Sequence, residues 1–203
     1  MGIYLKGTFT YLVDVEEKYF PYVIEWRNNP ENNRFLNQPF LLTMEKQRAW
    51  YEKYRADDTQ GLLMMIAKDG DIPFGTNGWT DYDPYEKHCI SGRILVGDYR
   101  YRGSVELVEG MLLHLRYLYE TLGVERDYSH VVVENKKSQS HNKRLGFRKS
   151  DGEVKFPHEL FVNGMHQVEM VRDRAGYRRA EAYLSSLLDV FIREKESMGG
   201  RSS

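Results

Sequence analysis

The chain contains one cysteine in 203 residues, Cys89. One thiol cannot build an internal disulfide framework, so a reducing, cytoplasmic setting is expected. Cys89 itself reads as a small strand side chain and not as a nucleophile. No apolar run reaches the ~20 residues that a membrane span needs. The start, Met1 to Lys6, lacks the apolar stretch of a signal peptide, and Lys6 breaks a myristoylation pattern. No membrane partner is expected. An excess of either charge is also missing: 29 Lys and Arg stand against 30 Asp and Glu, for a net charge of −1. Nucleic acid is therefore not an expected partner, and any site for a polyanion has to be local. Internal repeats are absent, and no metal site is read.

What the chain does contain is a succession of short periodic segments. Residues 3–14 read as one strand, or two broken at Gly7. Residues 16–28 read as a helix with Tyr19, Val23 and Trp26 on one face, stopped by Asn29-Pro30. A loop rich in Asn and Phe follows over 32–42, and Thr43 caps a second helix whose shared face carries Gln47, Trp50, Tyr51 and Tyr54. Trp50 is read as core. Residues 61–68 form a continuous apolar strand, which Asp69-Gly70-Asp71 turns into a return strand over 74–79. The polar loop 81–88 precedes a central strand, 89–96. Gly78 and Gly92 mark a bulge or a close backbone approach within these strands. Beyond Phe147 come a strand, a loop at 157–160, a turn at Asn163-Gly164 and a strand over 167–171. A last helix, 173–196, presents Tyr177, Ala180, Leu184, Leu187, Leu188 and Phe191 on one face.

The most informative stretch lies between. Val105, Val108, Met111, Leu112, Leu115, Leu118, Tyr119 and Leu122 recur at helical spacing, which predicts a helix over 105–122. Ser104 is its N-cap, Glu106 suits the positive end of its dipole, and Gly123 closes it. Arg100 to Ser104 is thus a tight basic turn at a helix N-terminus. Its backbone N–H groups have no intrahelical partners and form an anion site. A strand over 127–134 follows, then Asn135-Lys136-Lys137-Ser138 and a short helix ending in Leu145-Gly146-Phe147.

Arg100-x-x-Gly103-x-Val105 resembles the pyrophosphate-binding turn of the GNAT superfamily of acyl-CoA N-acyltransferases. Val105 departs from it, since a small residue is usual there. Asn135-x-x-Ser138 with Leu145-Gly146-Phe147 resembles the family's second signature, and the two stand in the right order. Trp26-Arg27-Asn28 is similar to a segment of two branches, the aminosugar N-acetyltransferases and the ribosomal-protein N-terminal acetyltransferases. The resemblance covers roughly residues 13–172. It implies a mixed α/β fold: a central, mostly antiparallel sheet that splays after Ile94, flanked by helices. Residues 1–172 would form the acetyltransferase domain, 173–196 an added helix that packs on it or makes a homodimer contact, and 197–203 a disordered tail.

The resemblance further implies transfer of an acetyl group from acetyl-CoA to a primary amine of a small molecule. Leu95, Val96, Arg100, Tyr101, Arg102, Gly103, Ser104, Val105, Asn135 and Ser138 are expected around the cofactor, and Arg27, Phe35 and Trp79 around the acceptor. Many family members carry a Tyr acid seven residues after the signature Asn. Here that position is Asn142, which cannot give up a proton. Tyr85, Tyr99 and Tyr101 are the substitute acids considered, with Tyr99 preferred, and His88 and Glu134 are the candidate bases, with Asp81 and Asp83 beside them. Three functions stay open: a nucleotide-linked aminosugar N-acetyltransferase; an N-acetyltransferase of protein N-termini or polyamines; and a silent acyl-CoA-binding or interaction module.

Overall fold

Every residue from Gly61 to Ala67 is buried, and that strand divides the core in two. Leu63 and Met65 point to one side, Leu62, Met64 and Ile66 to the other. Such an unbroken apolar run is stable only where both faces of the sheet are covered. The computed structural model describes residues 2–36, 38–152 and 154–199.

The chain begins with a hairpin, β1 (Tyr4–Lys6) and β2 (Thr10–Asp14), so the 3–14 segment is two strands broken at Gly7. Two helices, α1 (Phe20–Asn28) and α2 (Pro30–Asn33), and a loop lead to α3 (Met44–Arg55), whose N-cap is Thr43 as expected. Then come β3 (Gly61–Ala67), β4 (Ile72–Asp83), β5 (His88–Val96) and α4 (Val105–Arg116), capped by Ser104 on Leu107 N–H. The predicted helix continues to residue 121 as a wider π turn, Tyr117–Thr121. The rest is β6 (Arg126–Val132), α5 (Lys136–Arg144), β7 (Arg148–Lys149), β8 (Phe161–Val162), β9 (Met165–Asp173) and α6 (Arg174–Gly199).

Among the described residues the sheet runs β1-β2-β3-β4-β5-β6-β9-β7, with β8 paired to β9. All neighbours are antiparallel except β5 and β6. The mixed α/β class and the mostly antiparallel sheet are as expected. Helices α4 and α6 cover one face, α1 and α3 the other.

Two contacts set the helices on the sheet. The buried Glu109 carboxylate of α4 accepts the N–H groups of Thr8, Phe9 and Thr10 at 2.6, 2.6 and 2.7 Å, which ties the β1–β2 turn to the helix. A Cβ at Gly7 would lie 2.3 Å from that carboxyl group, so the turn needs a glycine there. On the other edge α6 packs on α4: Tyr177 stacks on Tyr119 at 4.4 Å, and Glu181 pairs with Arg116 at 2.8 Å. The added helix places Tyr177, Ala180 and Leu184 in the core, with Leu187, Leu188 and Phe191 packed against it. It also runs past the expected end at 196 to Gly199, and residues 200–203 lie outside the described residues.

Candidate functional site

Thr76 pairs with Leu95 and Gly78 with Gly92, so β5 carries one more residue than β4 across this interval. The extra residue makes a bulge at Arg93, whose φ of 53° lies in the left-handed region that bulky side chains avoid. Thr76 Oγ1 donates to the Arg93 carbonyl at 2.9 Å and holds the bulge. A bulge bends its strand and increases the twist. The parallel pairing of β5 with β6 accordingly stops at Ile90–Tyr128. The splay thus opens sooner than the expected Ile94. From Ser91 onward the β5 edge has no sheet partner on that side among the described residues, which frees backbone groups for a ligand.

A groove of about 590 Å³ fills the opening between β5, β6, α4 and α5. Leu95, Arg102, Asn135 and Ser138, expected around the cofactor, line it together, and Phe35, expected around the acceptor, lines this groove and not the smaller pocket. Asn135 caps α5 through Ser138 N–H at 3.1 Å, which explains its spacing from Ser138. The turn before α4 is more self-contained than the sequence suggested. Asp98 Oδ1 accepts Arg100 N–H, and carbonyls within the turn accept the N–H groups of Tyr101, Arg102 and Ser104. The N–H groups of Val105 and Glu106, in the first helical turn, have no bond within the turn among the described residues, and Gly103 beside them has φ 76°. Arg100 is exposed and folded back onto Asp98 at 2.6 Å, which holds the Asp98 carboxyl below its usual range. Arg102 instead lies 3.6 Å over the Tyr99 ring and faces the groove. Val105 is buried and points into the core, so its bulk does not crowd the turn.

Across the bulge lies a second pocket of about 220 Å³, walled by α1, α3 and the loop between them. Arg93 and Leu95 line both cavities, so the two meet at the bulge. Arg27 enters this pocket from the end of α1 and donates Nε–H to Gln38 Oε1 at 2.6 Å. Trp50, read as core, is half-buried and forms part of the wall, and Arg93 sits 5.9 Å from its ring.

Four expected site residues fall elsewhere. His88 is no loop residue: it starts β5, buried against Phe156 and Tyr128 at 5.5 and 6.2 Å. It sits seven residues from Leu95, roughly 20 Å at ~3.3 Å per residue. Trp79 is 4% exposed and packs on His114 and Tyr117 beneath α4, because its position in β4 faces that helix. Glu134 is exposed in the turn after β6 and is not among the groove-lining residues. The Tyr99 hydroxyl meets Asn32 Oδ1 at 3.1 Å and is likewise outside the lining.

In their place the structure brings forward His130, on β6. Its Nε2 is 3.2 Å from Glu169 Oε2 on β9, and its buried Nδ1 has no partner among the described residues. Burial pushes the imidazole pKa down, against the opposing pull of Glu169. Burial would raise the Glu169 carboxyl, but hydrogen bonds from Ser150, Phe156, Lys155 and His130 hold it lower. The pair joins strands 39 positions apart, so only the inward alternation of Tyr128, His130 and Val132 could have hinted at it. Asn142 also lines the groove, donating to Ser129 Oγ at 3.0 Å.

A splayed sheet with a bulge at its opening and a capped basic turn at the cleft is the architecture of the acyl-CoA N-acyltransferases. The chain belongs to the GNAT acetyltransferase family, whose domain matches over residues 10–148. No curated protein matches the sequence. Among solved structures, the chain resembles apo FdhC, a nucleotide-linked sugar GNAT, with a TM-score of 0.72 at 20% identity over 93% of this chain and 99% of that one. A GCN5-related N-acetyltransferase from Brucella melitensis superposes with a TM-score of 0.73 at 18% identity, over 91% and 85% of the two chains. The spermidine N-acetyltransferase from Vibrio cholerae, in complex with CoA and spermine, gives 0.70 at 16%, over 85% and 99%.

Proposed function

We propose that the chain moves an acetyl group from acetyl-CoA to the primary amine of a small acceptor, and that the acceptor is an amino sugar, carried on a nucleotide. The observation that carries this reading is the meeting of two cavities at the bulge. The larger offers an unpaired strand edge, the N-terminus of α5, and Arg102 and Lys137, with the N-terminus of α4 next along the chain from Arg102, which suit a pantetheine arm and a pyrophosphate. The smaller offers the aromatic faces of Phe40 and Trp50 with the amides of Gln38 and Gln47, which suit a sugar ring.

In this reading the acceptor enters from the α1–α3 side and meets the thioester beside Leu95. The amine attacks only when neutral. His130, kept neutral by burial and oriented by Glu169, is the group on this wall suited to receive its proton through water. Backbone N–H groups at the end of β5 face the carbonyl oxygen as it gains charge. The leaving thiolate is weakly basic and departs without a dedicated acid, which fits Asn142 at that position.

A polyamine fits less well, since no carboxylate stands among the described residues that line the smaller pocket. The test is release of free thiol from acetyl-CoA against free amino sugars, nucleotide-linked amino sugars, spermidine and a peptide N-terminus. Turnover with the nucleotide-linked sugar supports the proposal. Preferred turnover of spermidine or the peptide overturns the acceptor assignment. Tight acetyl-CoA binding with no turnover for any amine would make the chain a binding module.

A further inference from the structure

Arg27 and Arg93 both reach the wall of the smaller pocket without a carboxylate to meet them. Arg27 uses only Nε, on Gln38, and its two terminal nitrogens have no protein partner among the described residues. Gln38 is buried, and its amide donates to the Phe40 carbonyl at 3.0 Å. It therefore holds the guanidinium in one orientation. Arg93 donates through Nη2 to Gln60 Oε1 at 2.7 Å, and its buried Nη1 has no partner among the described residues. Arg27 feels its neighbour: burial lowers its pKa first, and the charge of Arg93 lowers it further. Burial lowers the Arg93 pKa, and Asp81 and Asp57 oppose that from outside the pocket. Neither arginine forms an ion pair among the described residues, and two half-buried like charges that lack a direct partner are unfavourable in the free protein. An arriving anion offsets that cost, and a fixed guanidinium fork matches a phosphate or carboxylate in two-point contact.

We infer that Arg27 and Arg93, with Gln38 aiming Arg27, form an anion anchor inside the acceptor pocket, so that the acceptor bears a phosphate or carboxylate on the same small moiety as its amine. This rests on the assignment of that pocket to the acceptor. Arg93 lies two residues from Leu95 and both line this pocket, so the anion is held in the same small cavity as the acceptor amine. That placement fits a phosphate or carboxylate on the amine-bearing ring itself, and it disfavours a charge confined to a distant substituent.

The test uses calorimetric binding to the full chain saturated with CoA. The probes are glucosamine, glucosamine 1-phosphate and 2-amino-2-deoxyglucuronate, the last two separating phosphate from carboxylate. At least one anionic probe should bind about tenfold or more tighter than glucosamine, the scale of a charged hydrogen-bonded contact. Arg27→Gln should erase that preference. Gln38→Glu keeps the shape of the site but neutralises Arg27, and should erase it too; a merely structural Gln38 would not move the ratio. Equal binding of all three probes, or a preference that survives in both variants, overturns the inference. If an anionic probe binds with the stated preference yet is never acetylated, the anchor stands and the acceptor assignment falls.

Discussion

Arg172 of β9 lies along Asp127 of β6 with two hydrogen bonds, 3.0 Å from Nε and 2.6 Å from Nη2, and both side chains are buried. Ser91 and Tyr119 each donate to the same carboxylate at 2.5 Å, and Arg172 also donates to the Leu145 carbonyl at 3.0 Å. One ion pair thus joins β5, β6, β9, the end of α4 and the end of α5. It sits where the pairing of β5 and β6 stops, at the apex of the splay. Asp127→Ala leaves a buried guanidinium without its counter-charge and should cost roughly 3–5 kcal/mol. Denaturant melts of Asp127→Ala, Arg172→Met and the double variant check this. The double variant should cost less than the two single losses added together, because it strands no charge. Simple additivity would mean that the two residues act independently.

His114 is buried on α4, its Nε2 has no partner among the described residues, and burial lowers its pKa to about 3. Its ordinary value is near 6.5. The unfolded chain therefore binds a proton below pH 6.5 that the folded chain refuses until about pH 3. Stability should be full above 6.5 and fall steadily below it, by about 2 kcal/mol at pH 5 from this residue alone. His114→Phe, which keeps the stacking on Trp79, should flatten that part of the curve. An unchanged slope between pH 6.5 and 5 would show that His114 is protonated in the folded state.

Much of this architecture was legible because it obeys local rules. Ser104 and Thr43 are N-caps with the bonds their positions predict, and Asn163 and Gly164 both take positive φ in a two-residue hairpin turn. Gly78 and Gly92, marked in the sequence, face each other at the bulge. What stayed hidden depends on the sheet's long-range register. His88 sits among polar residues in the sequence, but β6 and the 150s loop place Tyr128 and Phe156 on it. Trp79 carries no local sign of which face of β4 it occupies. The His130–Glu169 and Arg27–Gln38 contacts need two segments whose approach no single spacing reveals.

The two arginines of the turn should differ. Arg100 is exposed and already engaged with Asp98, whereas Arg102 faces the groove. Arg102→Ala should weaken CoA binding about tenfold or more, the scale of a lost charged contact. Arg100→Ala should change it only a few-fold. Calorimetric titration of CoA into both variants decides; a larger loss for Arg100→Ala would mean that the Asp98 contact opens on binding.

If His130 receives the amine proton, its lowered pKa keeps it competent below pH 6.5. The acid limb of kcat/KM should then fall at a pH below 6.5. His130→Gln should cost on the order of 10²-fold or more in kcat with little change in the melting curve. An acid limb that falls at pH 6.5 or above, or full activity in His130→Gln, removes His130 from the chemistry.

The remaining question is the proton on the departing thiolate. Asn142 stands where a tyrosine acid is usual, and its amide is spent on Ser129 at 3.0 Å. Tyr99, the nearest alternative along the chain, directs its hydroxyl at Asn32 and lies under Arg102. Asn142 has no proton to give up, and the Tyr99 hydroxyl is already engaged. A thiolate of a weakly basic thiol can leave unaided. Asn142→Ala should therefore cost no more than a neutral hydrogen bond, about 0.5–1.5 kcal/mol, or up to roughly tenfold in rate. Tyr99→Phe keeps the ring beneath Arg102 and should cost similarly little. Asn142→Tyr should leave the basic side of the pH profile where it is, since no acid step limits the wild type. The measurement is kcat against pH for these three variants and the wild type. A general acid is typically worth 10²–10⁴-fold, so a hundredfold loss in Asn142→Ala or Tyr99→Phe, with an unchanged melt, would show that the residue still supplies the proton.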